Sequence, residues 1–477
     1  MVFRPLIVDL DGTLIHTDML HESVLNVVTP SPIKVLRILF WLSKGKSVLK
    51  ARLASQAIID LKTLPYNFEL LDWLKQKKSE GRKLILCTAS DKSIAVLIAQ
   101  YLGIFDEVLG SDTLTNLTCK QKAETILQRF GHFWFDYVGN SKADLAVWKH
   151  SHRATIVNAS MNLEKKAKTL CEVDRVFHKQ VPALVAWRGV FRVHQWLKNL
   201  LLFVPIFAAH DLTNRDIWVS LALAFISFSC CASAVYIIND LLDLQSDRLH
   251  PRKRNRPFAV GAIPVWKGVL LAPVLVIMSM GVGFCVGESF QSWLIFYFLL
   301  TCAYSWTLKR LMIVDCLSLA MLYTLRIVAG AAAAGIGLSF WLLTFSVFLF
   351  LSLAFVKRYA ELEVQLLMGR EKVHGRGYYT SDAPLIQTLG IASGYASILV
   401  LALYLNSDTV VRLYRAPELL WGAVPIILFW ISWIWMQAHR GKMHDDPLVF
   451  ALSDTCSLVA GIAFVSVLVV SAVGWPW

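Results

Sequence analysis

Three aspartates, Asp240, Asp243 and Asp247, end a long apolar stretch at steps of three and four residues. On an α-helix this spacing places the three carboxylates on nearly one face, with Asn239 at its border. Like charges at the mouth of a membrane helix are costly unless something neutralises them, and Mg²⁺ favours carboxylates together with phosphate oxygens. The spacing therefore predicts a Mg²⁺-dependent site for a diphosphate-bearing molecule.

A run of cations follows these aspartates directly. It comprises Arg248, Arg252, Lys253, Arg254 and Arg256. The positive-inside rule would explain the cations as an ordinary cytoplasmic loop, but it does not explain three carboxylates on one helical face. Carboxylates that hold a metal, followed by cations that hold an anion, favour the diphosphate site.

The pattern NDxxDxxxD, formed by Asn239 and the three aspartates, resembles the first aspartate-rich motif of the UbiA prenyltransferase superfamily. The resemblance implies an intramembrane enzyme that ionises a diphosphate substrate. It makes Asp240, Asp243 and Asp247 catalytic metal ligands for Mg²⁺ and Asn239 a supporting substrate contact.

The composition places most of the chain in lipid. Of the 477 residues 56% are hydrophobic, and the mean hydropathy is +0.54, which is more apolar than a soluble protein of this size. The net charge of +13 does not indicate a nucleic-acid partner, because the bases cluster between apolar segments. The nine cysteines contain no CxxC pair, so we expect reduced packing residues. No signal peptide is expected, since Asp9 and Asp11 interrupt the early apolar run.

A second set of chemical groups follows the first apolar run. Residues 5–8 predict a buried parallel strand that ends in DLDGT, residues 9–13. Carboxylates at the carboxyl end of such a strand lie where open α/β sheets bind ligands, and Asp9 and Asp11 point the same way. One can attack a phosphorus atom while the other moves the proton, and Gly12 allows a tight turn.

Later strands also end in polar groups. The strand predicted over residues 83–87 ends at Thr88, and the strand over 137–138 ends in Gly-Asn-Ser with Asp144 beyond it. Lys122 lies on a predicted helix between them, and a fourth strand follows. Alone, Lys122 could equally be a solvated helix lysine, and Thr88 a strand-end hydroxyl.

These motifs resemble the haloacid dehalogenase superfamily of phosphatases across roughly residues 1–160. The resemblance implies an α/β (Rossmann-like) domain with a helical cap over about residues 16–67. It makes Asp9 the nucleophile that forms an aspartyl phosphate, and Asp11 the general acid/base.

The same resemblance assigns phosphate and metal contacts. Thr88 and Lys122 would hold the phosphoryl oxygens. Mg²⁺ would lie among Asp9, Asp11, Asn140 and Asp144. Asn140 stands where the superfamily usually has an acidic residue, so we expect weaker Mg²⁺ binding. The alternative is a phosphatase site that has lost its activity.

We predict three parts of the chain: the α/β domain over residues 1–160, a charged linker over 161–192, and an all-α membrane domain over 193–477. The linker contains either an interfacial helix or an ordinary linker helix. Nine apolar segments of the membrane domain are long enough to span a bilayer. They cover residues 196–210, 216–240, 267–287, 291–307, 313–335, 339–358, 384–405, 418–437 and 448–474.

Basic residues alternate between the loops that join these segments. They concentrate after the second, fourth, sixth and eighth segments, so the positive-inside rule places those loops in the cytoplasm. With nine spans, the N-terminal domain is cytoplasmic and the C-terminus lies outside. We therefore predict a multi-pass protein of the cell (inner) membrane, with the lipid bilayer as a partner.

Polar side chains concentrate on the predicted cytoplasmic face. They include Gln195, Lys198, Asn199, Tyr304 and Lys309. Asp315 and Arg326 lie inside the fifth segment, three turns apart, so each is either a structural partner to another helix or a site group. The MHDDP sequence at 443–447 could be only a helix start.

The sixth segment ends in KRYAEL, residues 357–362. Other members of the UbiA superfamily carry a second aspartate-rich motif here, which holds a second Mg²⁺ on a prenyl diphosphate. Lys357 and Arg358 cannot hold Mg²⁺ but can bind phosphate oxygens directly; the alternative is that they are snorkelling residues. KRYAEL and the QWLKN sequence at 195–199 resemble the polyprenyl-phosphate phosphoribosyltransferase branch of the superfamily.

That resemblance implies transfer of 5-phosphoribose from phosphoribosyl diphosphate to a polyprenyl phosphate. The candidates to hold phosphates are Lys198, Arg256, Tyr304, Lys309, Lys357 and Arg358. The fused phosphatase-like domain could then remove the 5-phosphate of the product. The alternatives are an aromatic prenyltransferase that uses an isoprenyl diphosphate, and a non-enzymatic lipid carrier.

Overall fold

The computed structural model describes residues 4–29, 34–57, 59–111, 117–178, 181–250, 252–372, 376–443 and 446–474. The chain forms two compact units. Unit 1 comprises Met1–Phe191 and Tyr236–Ala272, and unit 2 comprises Arg192–Val235 and Pro273–Trp477. The aspartates that follow Asn239 thus belong to the same compact unit as the N-terminal part of the chain.

A six-stranded parallel sheet forms the centre of unit 1. Its strands are β1 (Leu6–Val8), β2 (Leu84–Asp91), β3 (Glu107–Ser111), β4 (Asp136–Gly139), β5 (Arg153–Val157) and β6 (Glu172–Phe177). The strand order is β3-β2-β1-β4-β5-β6. Leu6 pairs with Leu84 on one side and with Asp136 on the other. Because β1 lies between β2 and β4, the carboxyl ends of these three strands meet at one edge.

The described residues of unit 1 up to Phe191 contain nine α-helices in addition to this sheet. They are α1 (Met19–Val28), α2 (Lys34–Ser43), α3 (Lys46–Gln56), α4 (Phe68–Ser79), α5 (Lys92–Leu102), α6 (Cys119–Phe130), α7 (Leu145–Trp148), α8 (Met161–Leu170) and α9 (Ala183–Phe191). Leu6 and Val8 pack into one apolar core, while Ile7 packs into a second core on the other face. Burial on both faces explains why β1 is continuously apolar.

The described residues after Phe191 form twelve further α-helices, four of them no longer than six residues. They are α10 (Val204–Ala208), α11 (Arg215–Leu242), α12 (Leu244–Leu249), α13 (Val265–Val286), α14 (Glu288–Trp306), α15 (Val314–Ala334), α16 (Phe340–Leu367), α17 (Ala383–Leu405), α18 (Asp408–Leu413), α19 (Ala423–His439), α20 (Pro447–Ala451) and α21 (Thr455–Val473). Within the described residues, seven helical segments are long and apolar enough to cross a membrane; they contain α11, α13, α15, α16, α17, α19 and α21.

The predicted count of nine spans is not confirmed. Segment 196–210 forms 3₁₀ turns over Val193–Phe203 followed by the short helix α10. Its polar side chains bond inside unit 2, since the Asn199 amide donates to Ser229 Oγ at 3.0 Å. Segment 291–307 forms α14, which is helical but does not count among the seven.

Glycines on α17 allow the helices of unit 2 to pack closely. A Cβ atom at Gly390 would lie 2.2 Å from the Trp435 ring, and one at Gly394 would lie 2.9 Å from Ser352 Oγ. Two glycines four residues apart occupy one helix face, which permits close backbone approach in a membrane. The result is a tight contact of α17 with α16 and α19.

Candidate active sites

Asp9 lies at the carboxyl end of β1, and its carboxylate is buried. Lys122 Nζ donates to Asp9 Oδ1 at 2.6 Å, and Thr13 Oγ1 donates to Oδ2 at 3.2 Å. Burial raises the pKa of Asp9 to about 7, against the opposing charge of Lys122. Lys122 is thus a buried partner of Asp9, not a solvated helix lysine. The ammonium group of Lys122 favours the ionised form of Asp9, which is the form that a carboxylate nucleophile requires.

Asp11 makes a separate set of contacts. Ser90 Oγ and Thr88 Oγ1 donate to Asp11 Oδ2 at 2.6 and 3.1 Å, and the Met19 N–H donates to Oδ1 at 2.8 Å. Burial raises the pKa of Asp11, which favours a carboxyl group that carries a proton. Thr88 therefore contacts Asp11 in the structure. Ser90 was not predicted, although its place at the end of a strand was a usable signal.

Asp144 organises the loop after β4. Its Oδ2 accepts from the N–H groups of Asn140 (3.1 Å) and Ser141 (2.8 Å) and from Ser141 Oγ (2.9 Å), while Oδ1 accepts from the Tyr137 hydroxyl (2.8 Å). Both oxygens of Asp144 are engaged within the chain. The neutral Asn140 side chain lies against the DLDGT turn, because a Cβ atom at Gly12 would be 2.1 Å from Asn140 Nδ2.

Replacing Gly12 by alanine is expected to destabilise the protein by about 2–3 kcal/mol. Gly12 has φ +73°, which strains an L-residue, and the added methyl group would also collide with Asn140. Chemical unfolding of the full-length protein in detergent measures the effect. Gly81→Ala is the matched control: Gly81 has φ +84° but open space around it, so a loss of only about 1 kcal/mol is expected. Equal losses would contradict the collision.

The aspartate motif lies at a break between two helices. Helix α11 ends at Leu242 and α12 begins at Leu244, yet the N–H of Asp243 still bonds Asn239 O and the N–H of Asp247 bonds Asp243 O, both at 2.8 Å. The first bond lies at the end of α11 and the second at the start of α12, so helical hydrogen bonding reaches Asp243 from both sides. The sharing of one face by all three carboxylates stays a prediction.

Arg256 joins the first and last carboxylates of the motif. Its Nη1 lies 3.1 Å from Asp240 Oδ1 and also pairs with Asp247 Oδ2. Asp240 is 1% exposed and Asp247 is 2% exposed. Burial raises the pKa of Asp247, and Arg256 opposes this rise. Arg256 thus supplies the cation that the two buried carboxylates require.

The carboxylates of the motif fit Mg²⁺ only if a bound phosphate and water supply the other ligands. Within the described residues, no group of three or more His, Cys, Asp or Glu side chains could hold a metal ion. However, Asp240 and Asp247 converge on one guanidinium nitrogen. Mg²⁺ commonly binds to one or two carboxylates and takes its other ligands from substrate phosphates and water. Two converging carboxylates beside a diphosphate satisfy that requirement.

A cluster in unit 2 surrounds Asp446. Lys198 Nζ and Lys357 Nζ lie 2.7 and 3.2 Å from Asp446 Oδ2, and the Tyr323 hydroxyl donates to both carboxylate oxygens at 2.9 Å. Burial alone would raise the pKa of Asp446, but the two ammonium groups hold it well below its usual range. Asp446 also accepts from the Leu448 N–H as a helix cap, so the predicted helix start is one part of its role.

Arg358 has a different environment from its neighbour Lys357. Its guanidinium is fully buried, 2.5 Å from Asp315 Oδ2, and it also pairs with Glu361. Arg376 lies 3.6 Å from the same Asp315 oxygen. The charge of Arg358 is therefore used inside the protein, and contact with a phosphate would require these ion pairs to open. Its predicted phosphate role remains a prediction.

Tyr304 joins the Arg358 cluster through Arg376, whereas Lys309 and Arg326 have other surroundings. The Tyr304 hydroxyl accepts from Arg376 Nη1 at 3.2 Å, and Lys309 lies in a 3₁₀ turn after α14. Arg326 does not pair with Asp315: its Nε donates to Asn199 Oδ1 at 3.0 Å and its Nη2 to Tyr297 at 2.8 Å. Arg326 therefore has buried structural partners on other elements.

Replacing Asp446 by asparagine is expected to destabilise the protein by about 3 kcal/mol, because two ammonium groups would lose their buried counter-charge. Unfolding in detergent measures the loss. Asp454→Asn is the control, since Asp454 caps α21 by accepting from the Ser457 N–H and asparagine is an equally good cap. An Asp446→Asn protein as stable as the control would contradict the buried ion-pair cluster.

Two solved structures resemble parts of the chain. A UbiA homolog from Archaeoglobus fulgidus bound to GPP and Mg²⁺ has 15% identity and a TM-score of 0.46, covering 60% of this chain and 99% of that chain. A substrate-bound phosphoserine phosphatase has 16% identity and a TM-score of 0.27, covering 38% of this chain and 95% of that chain. TM-scores this low carry no argument about the fold, so the fold of each part is described from its own strands and helices.

One sequence relative spans nearly the whole chain. The uncharacterized protein y4nM of Sinorhizobium fredii is 37% identical over 469 residues, 98% of this chain and 91% of that protein. The decaprenyl-phosphate phosphoribosyltransferase of Mycolicibacterium smegmatis is 29% identical over 280 residues, 57% of this chain and 88% of that protein. The profile of the UbiA prenyltransferase family matches residues 200–456. This membrane-embedded chain therefore belongs to the UbiA prenyltransferase family.

Proposed function

We propose that the protein transfers 5-phosphoribose from phosphoribosyl diphosphate to a polyprenyl phosphate in the membrane. The observation that carries this proposal is the pair of lysines, Lys198 and Lys357, that meets at the single carboxylate of Asp446. Two ammonium groups against one carboxylate leave one positive charge, which suits a phosphate monoester. The name of the mycobacterial relative supports the same reaction class.

The aspartate motif would receive the diphosphate of the donor. Mg²⁺ held by Asp240 and Asp247 would supply positive charge to the departing diphosphate. Asp243, the half-buried carboxylate between these two in the sequence, would be the metal ligand most accessible to the diphosphate, and Asn239 completes the proposed contacts. Arg256 retains further N–H groups beyond the one that pairs with the carboxylates, and these can donate to diphosphate oxygens.

The acceptor needs little help from a base. Its phosphate oxygen is already anionic, so it can attack the anomeric carbon of the ribose directly. The new bond forms as the bond between that carbon and the diphosphate breaks, and the electron pair leaves with the diphosphate. Lys198 and Lys357 would orient the acceptor phosphate, with Tyr304 and Lys309 as further candidates.

We also propose that the N-terminal α/β part hydrolyses the 5-phosphate of the product. An Asp9 oxygen attacks phosphorus, the bond to the ribose 5-oxygen breaks, and Asp11 gives that oxygen a proton. Water then attacks the aspartyl phosphate while Asp11 takes a proton back, which releases inorganic phosphate. Lys122 and Thr88 are the proposed phosphoryl contacts, and Mg²⁺ would lie near Asp9 and Asn140, with Asp144 shaping the loop.

The test uses purified full-length protein in detergent with Mg²⁺, labelled phosphoribosyl diphosphate and a polyprenyl phosphate. Label that enters the organic phase only when the acceptor is present supports phosphoribose transfer. A parallel reaction contains labelled isoprenyl diphosphate and an aromatic acceptor. Label transfer in this second reaction alone would replace the proposal with aromatic prenylation, and no transfer in either would favour a lipid carrier.

The membrane arrangement is part of the proposal. The alternating basic loops support an inner-membrane protein with nine spans. Segment 196–210 and α14 would be added to the seven apolar helices to give this number. The α/β domain over residues 1–160 and the linker over 161–192 would then be cytoplasmic. Protease access to this domain in inside-out but not right-side-out vesicles tests the orientation.

A further inference from the structure

A buried ion pair in unit 1 joins α1 to α12. Arg248 donates to Glu22 through both terminal nitrogens, from Nη1 to Oε2 at 3.0 Å and from Nη2 to Oε1 at 2.7 Å. Both side chains are 5% exposed. The Thr17 hydroxyl also donates to Glu22 at 2.7 Å. A bidentate ion pair of this kind fixes the direction of the two side chains as well as their distance. Its partners are separated by 225 residues of sequence.

The same arginine closes the loop after the aspartate motif. Arg248 Nε donates to the Ala259 carbonyl at 3.0 Å, so one guanidinium fixes both ends of the segment 248–259 to Glu22. Arg256 lies within this segment, and its own guanidinium holds Asp240 and Asp247. The position of Arg256 over the motif therefore depends on a loop that Glu22 keeps closed.

Two further contacts hold this loop against the N-terminal part of unit 1. A Cβ atom at Gly261 (φ +72°) would lie 2.5 Å from His16 Cβ, so the loop packs directly on the residues before α1. A Cβ atom at Gly189 would lie 2.8 Å from the Pro257 ring. These approaches leave no space for the loop to shift toward either neighbour, whereas the ion pair supplies its charge-specific attachment.

We infer that Glu22 is a positioning residue for the aspartate motif. The hydrogen bonds and ion pairs of its side chain within the described residues are to Thr17 and Arg248. It acts through Arg248, which is adjacent to Asp247 in sequence and which sets the loop that carries Arg256. The N-terminal α/β part is then a structural support of the diphosphate site in addition to any hydrolysis that it performs. This inference rests on the proposed function only in assigning a metal–diphosphate complex to the motif.

The test measures metal binding directly. Full-length protein in detergent carries Asp9→Asn, which removes a predicted ligand of the other metal site, and Mn²⁺ binding is measured by electron paramagnetic resonance. Binding lost on adding Asp243→Ala identifies the aspartate motif. Glu22→Ala is expected to weaken that binding by about tenfold or more, the usual effect of losing a group that orients metal ligands. Arg248→Ala, which removes the other partner of the pair, is expected to weaken the binding to a similar degree.

The control exchanges a surface ion pair, Glu164→Lys with Lys168→Glu, whose partners lie 2.6 Å apart on α8; Mn²⁺ affinity should not change. Unchanged affinity in a folded Glu22→Ala protein would overturn the inference. Where Glu22→Ala does not fold, Glu22→Gln keeps the side-chain shape and decides in the same way. Glu22-dependent Mn²⁺ binding in a protein that transfers no phosphoribose would sink the proposed function alone.

Discussion

Replacing Asp243 by alanine is expected to lower the rate of phosphoribose transfer by about 10³-fold, the scale of losing a charge-stabilising group in an active site. Asp243 is the half-buried residue at the break between α11 and α12, while Asp240 and Asp247 on either side are buried and paired with Arg256. It is therefore the carboxylate of the motif that is most accessible to a metal–diphosphate complex.

Labelled phosphoribosyl diphosphate, followed into the organic phase at saturating polyprenyl phosphate, measures this loss. Gln245→Ala is the matched control, because Gln245 lies two residues further along on α12 and is exposed. The control should transfer at the wild-type rate. Wild-type transfer by Asp243→Ala itself would remove the motif from the chemistry and would leave a passive lipid path as the better explanation.

The fold was predicted best where burial dictates composition. Four strands, β1, β2, β4 and β5, were predicted, because strands buried on both faces are continuously apolar. Strands β3 and β6 were not predicted. β6 (Glu172–Phe177) has three charged residues among six, lies at the edge of the sheet and falls within the predicted linker. Its partner strand, not its own composition, determines that it is a strand.

The membrane segments show the same limit. Hydropathy locates apolar segments, but it does not predict whether a segment forms one long α-helix. Segment 196–210 contains Lys198 and Asn199, which bond to Asp446 and Ser229. These bonds compensate polar groups that would be costly in lipid, and the segment forms 3₁₀ turns instead of a long helix.

The partners of charged side chains were the least predictable feature. Lys357 and Arg358 are adjacent in sequence, and both were predicted to bind phosphate. On a helix, adjacent residues point about 100° apart, so Arg358 meets Asp315 on α15 while Lys357 meets Asp446. Likewise, no local pattern could reveal that Glu22 pairs with Arg248. Long-range ion pairs depend on tertiary contacts, which a single sequence does not display.

Replacing Asp9 by asparagine is expected to lower phosphate release from the phosphoribosylated lipid by roughly 10⁴-fold or more, the scale of losing a catalytic nucleophile. An amide oxygen is a poor nucleophile, and asparagine would also leave Lys122 without its carboxylate partner at 2.6 Å. Transfer of phosphoribose is expected to continue at the wild-type rate, so the lipid product should retain its 5-phosphate. Release of inorganic phosphate and the mass of the lipid product measure the two steps separately.

The contrast between two further variants determines how the Asp9 result is understood. Asp72→Asn removes an exposed carboxylate on α4 and should leave phosphate release unchanged. Asn140→Asp introduces a negative charge beside the DLDGT turn and should raise the affinity of this site for Mg²⁺. Phosphate release by Asn140→Asp but not by wild type would mean that the α/β part has lost hydrolysis. Its retained attachment to the aspartate motif through Glu22 and Arg248 would then be sufficient reason for the α/β part to be present in the chain.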